Sequence, residues 1–210
     1  MKLLSRIICP LIYFGVVFSD SGLLAQKFDG MYFGLTVGLQ NVVGGSLVNG
    51  KDLLARDTRP TLDLNVGYRF QVCNKRLVSG PEISFGIVRG NLEYDDPTQG
   101  INVQYRNHTQ RSLGGIIGLV IGSDKNSLVY VYTNEIKRQF DVTIIDSFGS
   151  YKQKDKQGML RYGGGFKFPL GTDIHLRTSV GSGRADFGDQ ITNIQVNNKL
   201  DFMSGVVLQF

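Results

Sequence analysis

The chain contains no tryptophan, only two cysteines and only two histidines among its 210 residues. Cys9 falls in an N-terminal segment expected to be removed, which leaves Cys73 as a single thiol. No disulfide framework and no cysteine-based metal spacing is then available. His108 and His175 stand in segments of different expected depth, so neither offers Cys73 a partner base, and no catalytic role is assigned to it. Beyond the N-terminal segment no apolar run reaches 18 residues, which excludes a helical membrane protein. It does not exclude a barrel, whose spanning strands are half polar and individually faint. There is no Lys/Arg stripe interleaved with stacking aromatics, so nucleic acid is not an expected partner. No cofactor motif, metal cluster, low-complexity tract or linker is present either.

What is there begins with a leader. Lys2 and Arg6 precede an apolar run from Ile7 to Phe18, and small residues lead to Ala25. That order is a secretory signal peptide, residues 1–25, cut between Ala25 and Gln26 with Leu23 at the minus-three position. A membrane anchor is the alternative, but the run is about a dozen residues and contains Pro10, short of the ~20 a spanning helix needs. Ile8 is too large for a lipoprotein site at Cys9. The remaining residues, 26–210, suit one domain. Losing Lys2, Arg6 and Asp20 lowers the net charge from +5 to +4.

Period-two alternation marks eight strands. About Gly30 to Gln40, Phe33, Leu35, Val37 and Leu39 oppose Gly34, Thr36 and Gly38. In 61–70, Leu62, Leu64, Val66, Tyr68 and Phe70 oppose Asp63, Asn65, Gly67 and Arg69. In 78–88, Ile83, Phe85 and Ile87 oppose Glu82, Ser84 and Gly86. The segment 112–121 is nearly all apolar and its facing is undetermined. In 128–136, Leu128, Tyr130 and Tyr132 oppose Val129, Val131, Thr133 and Glu135; Tyr130 is expected outside and Glu135 inside. In 160–168, Leu160, Tyr162, Phe166 and Phe168 oppose Arg161, Gly163, Gly165 and Lys167. Ile174, Leu176, Thr178 and Val180 oppose His175, Arg177, Ser179 and Gly181. At the end, Leu200, Phe202, Ser204, Val206, Leu208 and Phe210 oppose Lys199, Asp201, Met203, Gly205, Val207 and Gln209.

Short turns are expected around 73–76, 123–126 and 169–173, and long connections at about 41–60, 89–111, 137–157 and 182–195. Short turns on one rim and long loops on the other are the organisation of outer-membrane barrels, with the short rim periplasmic. Phe33, Phe70, Tyr130, Phe168 and Phe210 all fall near the short rim, as an interfacial aromatic girdle requires. The bulky faces are apolar and the opposite faces carry small residues and charges. That is the reverse of a soluble carrier barrel, and eight strands leave an interior only wide enough for side chains. The fold class expected is therefore all-β, an eight-stranded antiparallel up-and-down transmembrane barrel.

Charges inside such a lumen must pair. The expected network is Asp63, Arg69, Glu82, Glu135, Arg161, Lys167, Arg177 and Asp201, with Glu135 and Arg161 meeting across the ladder and Lys199 at the same upper level. It serves either as structural ion pairs or as a gate that opens a narrow pore when pairs exchange.

The leader, the strands Phe33–Leu39 and Tyr162–Phe168, the alternating loops and the ending Gly205, Leu208, Phe210 together resemble the small outer-membrane barrels of the OmpA/OmpX type, including porin-like and opacity-like surface proteins. The resemblance covers the whole of 26–210. It implies that Gly205, Leu208 and Phe210 form the terminal signal read by the barrel-insertion machinery, with Met203 where a polar residue is usual. It implies residence in the bacterial outer membrane, and a role as structural anchor, adhesin, immune-evasion surface or slow pore. Outer-membrane lipid and lipopolysaccharide are the expected partners, with Lys137, Arg138, Lys152, Lys154 and Lys156 candidates for phosphate contacts. An external ligand is expected at loops such as 91–106, with Tyr94, Pro97 and Tyr105. Some eight-stranded barrels modify lipid A with a histidine, a serine and a carboxylate. Here the His-x-Ser spacing is absent, since Ser112 lies four residues after His108, and His175 is at the opposite rim. A non-enzyme is expected.

Overall fold

The computed structural model describes residues 28–48, 51–73, 76–96, 98, 100–122, 127–185 and 194–210. The signal peptide and the turn at 123–126 therefore lie outside the described residues. Strands β1 (Gly30–Val48), β2 (Lys51–Val72), β3 (Leu77–Val88), β4 (Asn91–Asp96), β5 (Ile101–Ile121), β6 (Ser127–Asp146), β7 (Gly149–Pro169), β8 (Ile174–Ala185) and β9 (Ile194–Gln209) form one antiparallel sheet. Apart from β3 and β4, chain neighbours pair with one another, β1 closes on β9, and β5 pairs with β3 below and β4 above. β3 and β4 are one wall position interrupted at Arg89–Gly90, where Gly90 has φ +132°, so nine strands make an eight-position ring. This is the expected eight-stranded up-and-down barrel.

Strand alternation fixes which side each residue takes. Leu35, Leu64, Phe85, Ile117, Val131, Phe166 and Val206 are all exposed on the outer wall. Thr36, Asp63, Asn65, Glu82, Ser84, Arg161, Lys167 and Arg177 are buried inside. In 112–121 the structure settles the facing: Ser112, Ile116 and Val120 point in, and Leu113, Ile117, Leu119 and Ile121 point out. A short turn lies where expected at 169–173, closed by amides of Leu170 and Gly171 donating to the Ile174 carbonyl; of the turn at 73–76, residues 74–75 lie outside the described residues, and the Arg76 amide donates to the Val72 and Cys73 carbonyls.

Two expectations are corrected here. Residues 41–48 and 51–60, and most of 137–157, are continuations of the ladder, paired up to Val48↔Lys51 and Asp146↔Gly149. The segment 89–111 carries the β4–β5 hairpin. Alternation in these stretches is what a soluble hairpin needs, not a loop. Their inner face carries an apolar cluster, in which Val42, Leu92, Val103, Tyr105, Phe140 and Val142 are buried and flanked by Ile101 and Ile144, together with buried Arg59, Arg138 and Asp155.

The facing of β6 is the second correction. Tyr130 and Tyr132 point into the barrel, 2% and 5% exposed, while Val131 and Glu135 face outward. The reason lies on the neighbouring strand. Tyr130 sits directly opposite Gly165 and Tyr132 opposite Gly163, and a Cβ at either glycine would strike the ring or hydroxyl of a tyrosine. Glycine opposite tyrosine makes the space, and β-branched Val129, Val131 and Thr133 take the lipid side.

The barrel thus reverses its polarity along its length. Below, apolar groups face out and polar groups face in; above, Val42, Tyr105 and Phe140 turn in, while Asn41, Arg106 and Lys154 face out. The change marks the upper edge of the apolar band. The lower edge carries Phe33 against Phe210 (6.0 Å between ring centroids), Tyr68 against Phe70 (4.8 Å) and Phe166 against Phe168 (5.9 Å). Rings at one depth form the girdle that a membrane interface favours.

Candidate functional site

The interior is the most concentrated chemistry in the molecule. β1, β2, β3 and β8 bring Tyr32, Arg69, Glu82 and Arg177 to its lower half because each occupies an inward position of its strand. Arg177 Nη1 and Nη2 donate to the Glu82 carboxylate at 2.5 and 3.0 Å, and the Tyr32 hydroxyl donates to the same carboxylate at 2.5 Å. Arg177 Nε donates to the Tyr130 hydroxyl at 2.9 Å. The guanidinium of Arg69 lies 3.9 Å from the Tyr32 ring centroid, and its Nη1 donates to Gln209 Oε1 at 3.3 Å. Lys167 Nζ faces the rings of Tyr32 (5.1 Å) and Phe28 (5.8 Å). Phe28, just before β1, is fully buried and packs on the ring of His175 at 5.2 Å, closing the lower mouth.

A second layer lies above. Arg161 Nη2 donates to Asp201 Oδ1 at 2.7 Å, with Arg161 Nε 2.7 Å from Oδ2. Asp63 accepts from Gln110 Nε2 at 2.8 Å, and Arg138 Nη2 donates to Gln40 Oε1 at 2.8 Å. Between the layers, Asn65 Nδ2 donates to Thr36 Oγ1 at 3.0 Å and the Ser84 and Ser112 hydroxyls meet at 2.6 Å. The space left between them is about 10 Å³, room for about one water molecule. Above both layers stands the apolar cluster around Tyr105 and Phe140. Buried side chains fill the interior at the level of both layers and of this cluster.

Seven of the eight expected network residues meet here: Asp63, Arg69, Glu82, Arg161, Lys167, Arg177 and Asp201. Glu135 does not. It faces outward, its carboxylate 3.5 Å from Lys137 Nζ with both side chains exposed, and its ladder partner is Leu160. Arg161 faces Asn134 in the ladder and takes Asp201 instead. Lys199 is likewise exposed, at the register shift where Asn41 pairs with Leu200 and Val42 with Asn198. Arg138, expected among outer loop cations, is buried in the lumen. Tyr32, Gln40, Gln110 and Gln209 went unassigned, although Tyr32, Gln40 and Gln209 hold the inward parity of their strands. Phe28 precedes the alternation and carries no such signal.

Gly205 sits opposite Thr36 on β1, where a Cβ would meet the Leu35 carbonyl; Leu208 and Phe210 face outward at the lower rim. The side chains of His108 and Tyr94, and residue Pro97, lie outside the described residues. His175 is at the lower rim, far along its strand from the outer extensions. Among the described residues, no group of His, Cys, Asp and Glu is placed to hold a metal ion.

No protein-family model matches the chain, and no curated protein sequence matches it. Among solved structures it is similar to Ail, the attachment invasion locus protein of Yersinia pestis, at 13% identity over 87% of this chain and 99% of that one, TM-score 0.49. It is similar to Neisserial surface protein A at 10% identity, over 87% of this chain and 100% of that one, TM-score 0.48. A third is the N-terminal β-barrel domain of Pseudomonas aeruginosa OprF, at 15% identity over 83% of this chain and 97% of that one, TM-score 0.40.

Proposed function

We propose that this barrel is a non-enzymatic surface protein of a bacterial outer membrane, which displays its upper hairpins outside the cell. One observation carries the reading: a lumen sealed in layers, beneath strands that continue with inverted polarity beyond the apolar band. A barrel built for transport spends its interior on a path. Here the interior holds ion pairs, rings and an apolar cap, and the exposed product is a rim of paired strands. Such a rim is suited to structural, adhesive or environment-contacting roles, because a held hairpin loses little entropy on binding. The Ser112 hydroxyl is engaged by Ser84 inside the wall, which favours a binding protein over a lipid-modifying enzyme. Gly205, Leu208 and Phe210 would serve the insertion machinery.

Planar-bilayer recording tests this against the narrow-pore alternative. Folded protein is expected to give no steady current, and a reproducible conductance would overturn the closed-lumen reading. Protease or antibody access to the β6–β7 hairpin on intact cells tests display. Unchanged lipid A acylation in a deletion strain, read by mass spectrometry, tests the absence of lipid chemistry.

A further inference from the structure

The outer wall carries a charge pattern that the sealed lumen does not explain. Leu35, Leu64, Phe85, Arg111 and Lys137 are successive ladder partners across five strands, β1, β2, β3, β5 and β6. Strand tilt makes this row climb. Leu35 is five residues above the lower end of β1, whereas Lys137 is ten residues above the lower end of β6. The row therefore starts in the apolar band and ends at its upper edge. Its lower part lines a groove of about 430 Å³ on the outer wall, walled by Leu62, Leu64, Phe85 and Ile87 and ending at Arg111.

At the top of that groove two cations stand directly opposite one another, Arg111 against Lys137. Like charges so placed destabilise a ladder unless an anion lies between them. Glu135 touches Lys137 at 3.5 Å, but both side chains are exposed to the degree that screening weakens the pair. Further up the same face, Lys152, Lys154 and Lys156 point outward on alternate positions of β7, with Arg106 across β6 from Lys154. Asp141, the ladder partner of both Arg106 and Lys154, is the acidic residue in that row. From the Lys137 level to Lys152 the stripe rises six residues, about 20 Å along the strand.

We propose that the outer wall running from β1 through β2, β3, β5 and β6 to β7 forms a docking face for one phosphorylated glycolipid, a lipopolysaccharide, whose acyl chain lies in the groove lined by β1, β2, β3 and β5 and whose lowest phosphate bridges Arg111 and Lys137. The inference rests on the outer-membrane reading above. Its reason is geometric. A phospholipid presents its phosphate in one plane, and the Arg111–Lys137 pair alone would serve it. Cations stacked at further heights call for phosphates at further heights, carried on a saccharide headgroup that stands above the acyl chains. Charge-assisted bonds to phosphate from several Lys and Arg at once give such a site its selectivity.

Native mass spectrometry of the detergent-folded chain tests it, with three probes: core-phosphorylated lipopolysaccharide, lipid A alone and phosphatidylglycerol. Wild type is expected to retain one lipopolysaccharide, to hold lipid A more weakly and to discriminate against phosphatidylglycerol by at least about tenfold. Arg111→Gln/Lys137→Gln is expected to weaken both lipopolysaccharide and lipid A by about tenfold. Lys152→Gln/Lys154→Gln is expected to weaken lipopolysaccharide alone. Lys199→Gln, on β9 and outside this stripe of cations, is expected to change neither. Equal retention of phosphatidylglycerol, or unaltered binding by the Arg111/Lys137 variant, would overturn the proposal. Heat-modifiable migration reports folding separately. Its loss in wild type would strike the membrane-barrel reading itself, whereas its persistence with failed binding would strike only the docking face.

Discussion

Glu82 shows what a single buried side chain does in this lumen. Three donor atoms from Arg177 and Tyr32 converge on its carboxylate, and Arg177 in turn holds Tyr130. Removing one member of such a pair leaves an uncompensated charge, which costs about 3–5 kcal/mol. Glu82→Leu is expected to lower stability by that amount in urea unfolding followed by gel migration. Glu82→Leu/Arg177→Met, which removes both charges, is expected to lose less than the single change; a double variant as weak as the single one would show that the pair is not the unit. The glycines facing the tyrosines offer a second test. A Cβ at Gly181 would collide with the Tyr132 hydroxyl, and at Gly163 with a strand backbone. Gly181→Val is expected to cost about 1–3 kcal/mol by overpacking, with Tyr132→Phe/Gly181→Ala recovering part of it.

At the scale of the strand, β6 decides most. Its outward row runs from Val131 in the apolar band through Thr133 to Glu135 and Lys137 at the upper edge. Val131→Arg is expected to impair insertion by about 2–4 kcal/mol near the midplane, and Glu135→Arg by about 0–1 kcal/mol near the interface. Equal penalties, measured by folding into vesicles, would contradict this facing. The same strand then carries Phe140 and Val142 into the upper cluster. Phe140→Asp is expected to expose the β6–β7 hairpin to protease while heat-modifiable migration of the barrel persists, because the upper core and the ion-paired lumen are separate layers. β6 was also where alternation misled. Its two faces differ little in polarity, with tyrosines on one and valines, a threonine and a glutamate on the other. Only the glycines of β7 and β8 break the tie, and they act from another part of the chain.

For the whole molecule, closure and polarity reversal work together. A closed ring leaves no unpaired edge, which a hydrocarbon environment requires. Reversal along the same strands lets one cylinder be inside-out in the apolar band and conventionally packed above it. A membrane level set this way puts Arg111 and Lys137 at the boundary, with Lys152 and Lys154 above. An extended rim held by an apolar core is also a better display surface than four loops would be. Fluorinated or deuterated lipid contact mapping is expected to report Leu35, Phe85 and Val131 as acyl contacts and to find Lys154 outside; protection of Lys154 by acyl chains would move the boundary.

The alternating strands, the aromatic rim apart from Tyr130, the inward charges other than Glu135 and Lys199, and the lipid-facing sides of six strands follow from the order of residues, because a strand places every second side chain on one face and neighbouring residues alone set that parity. The partners inside the lumen do not follow. Arg161 has Asn134 opposite it in one ladder, and the carboxylate it takes, Asp201, is forty residues away. The choice among equally placed charges depends on ring closure and shear, which bring distant strands to one height. The paired upper extensions and the inward turn of Tyr130 are likewise decided outside their own segments, by what the adjacent strands present to them.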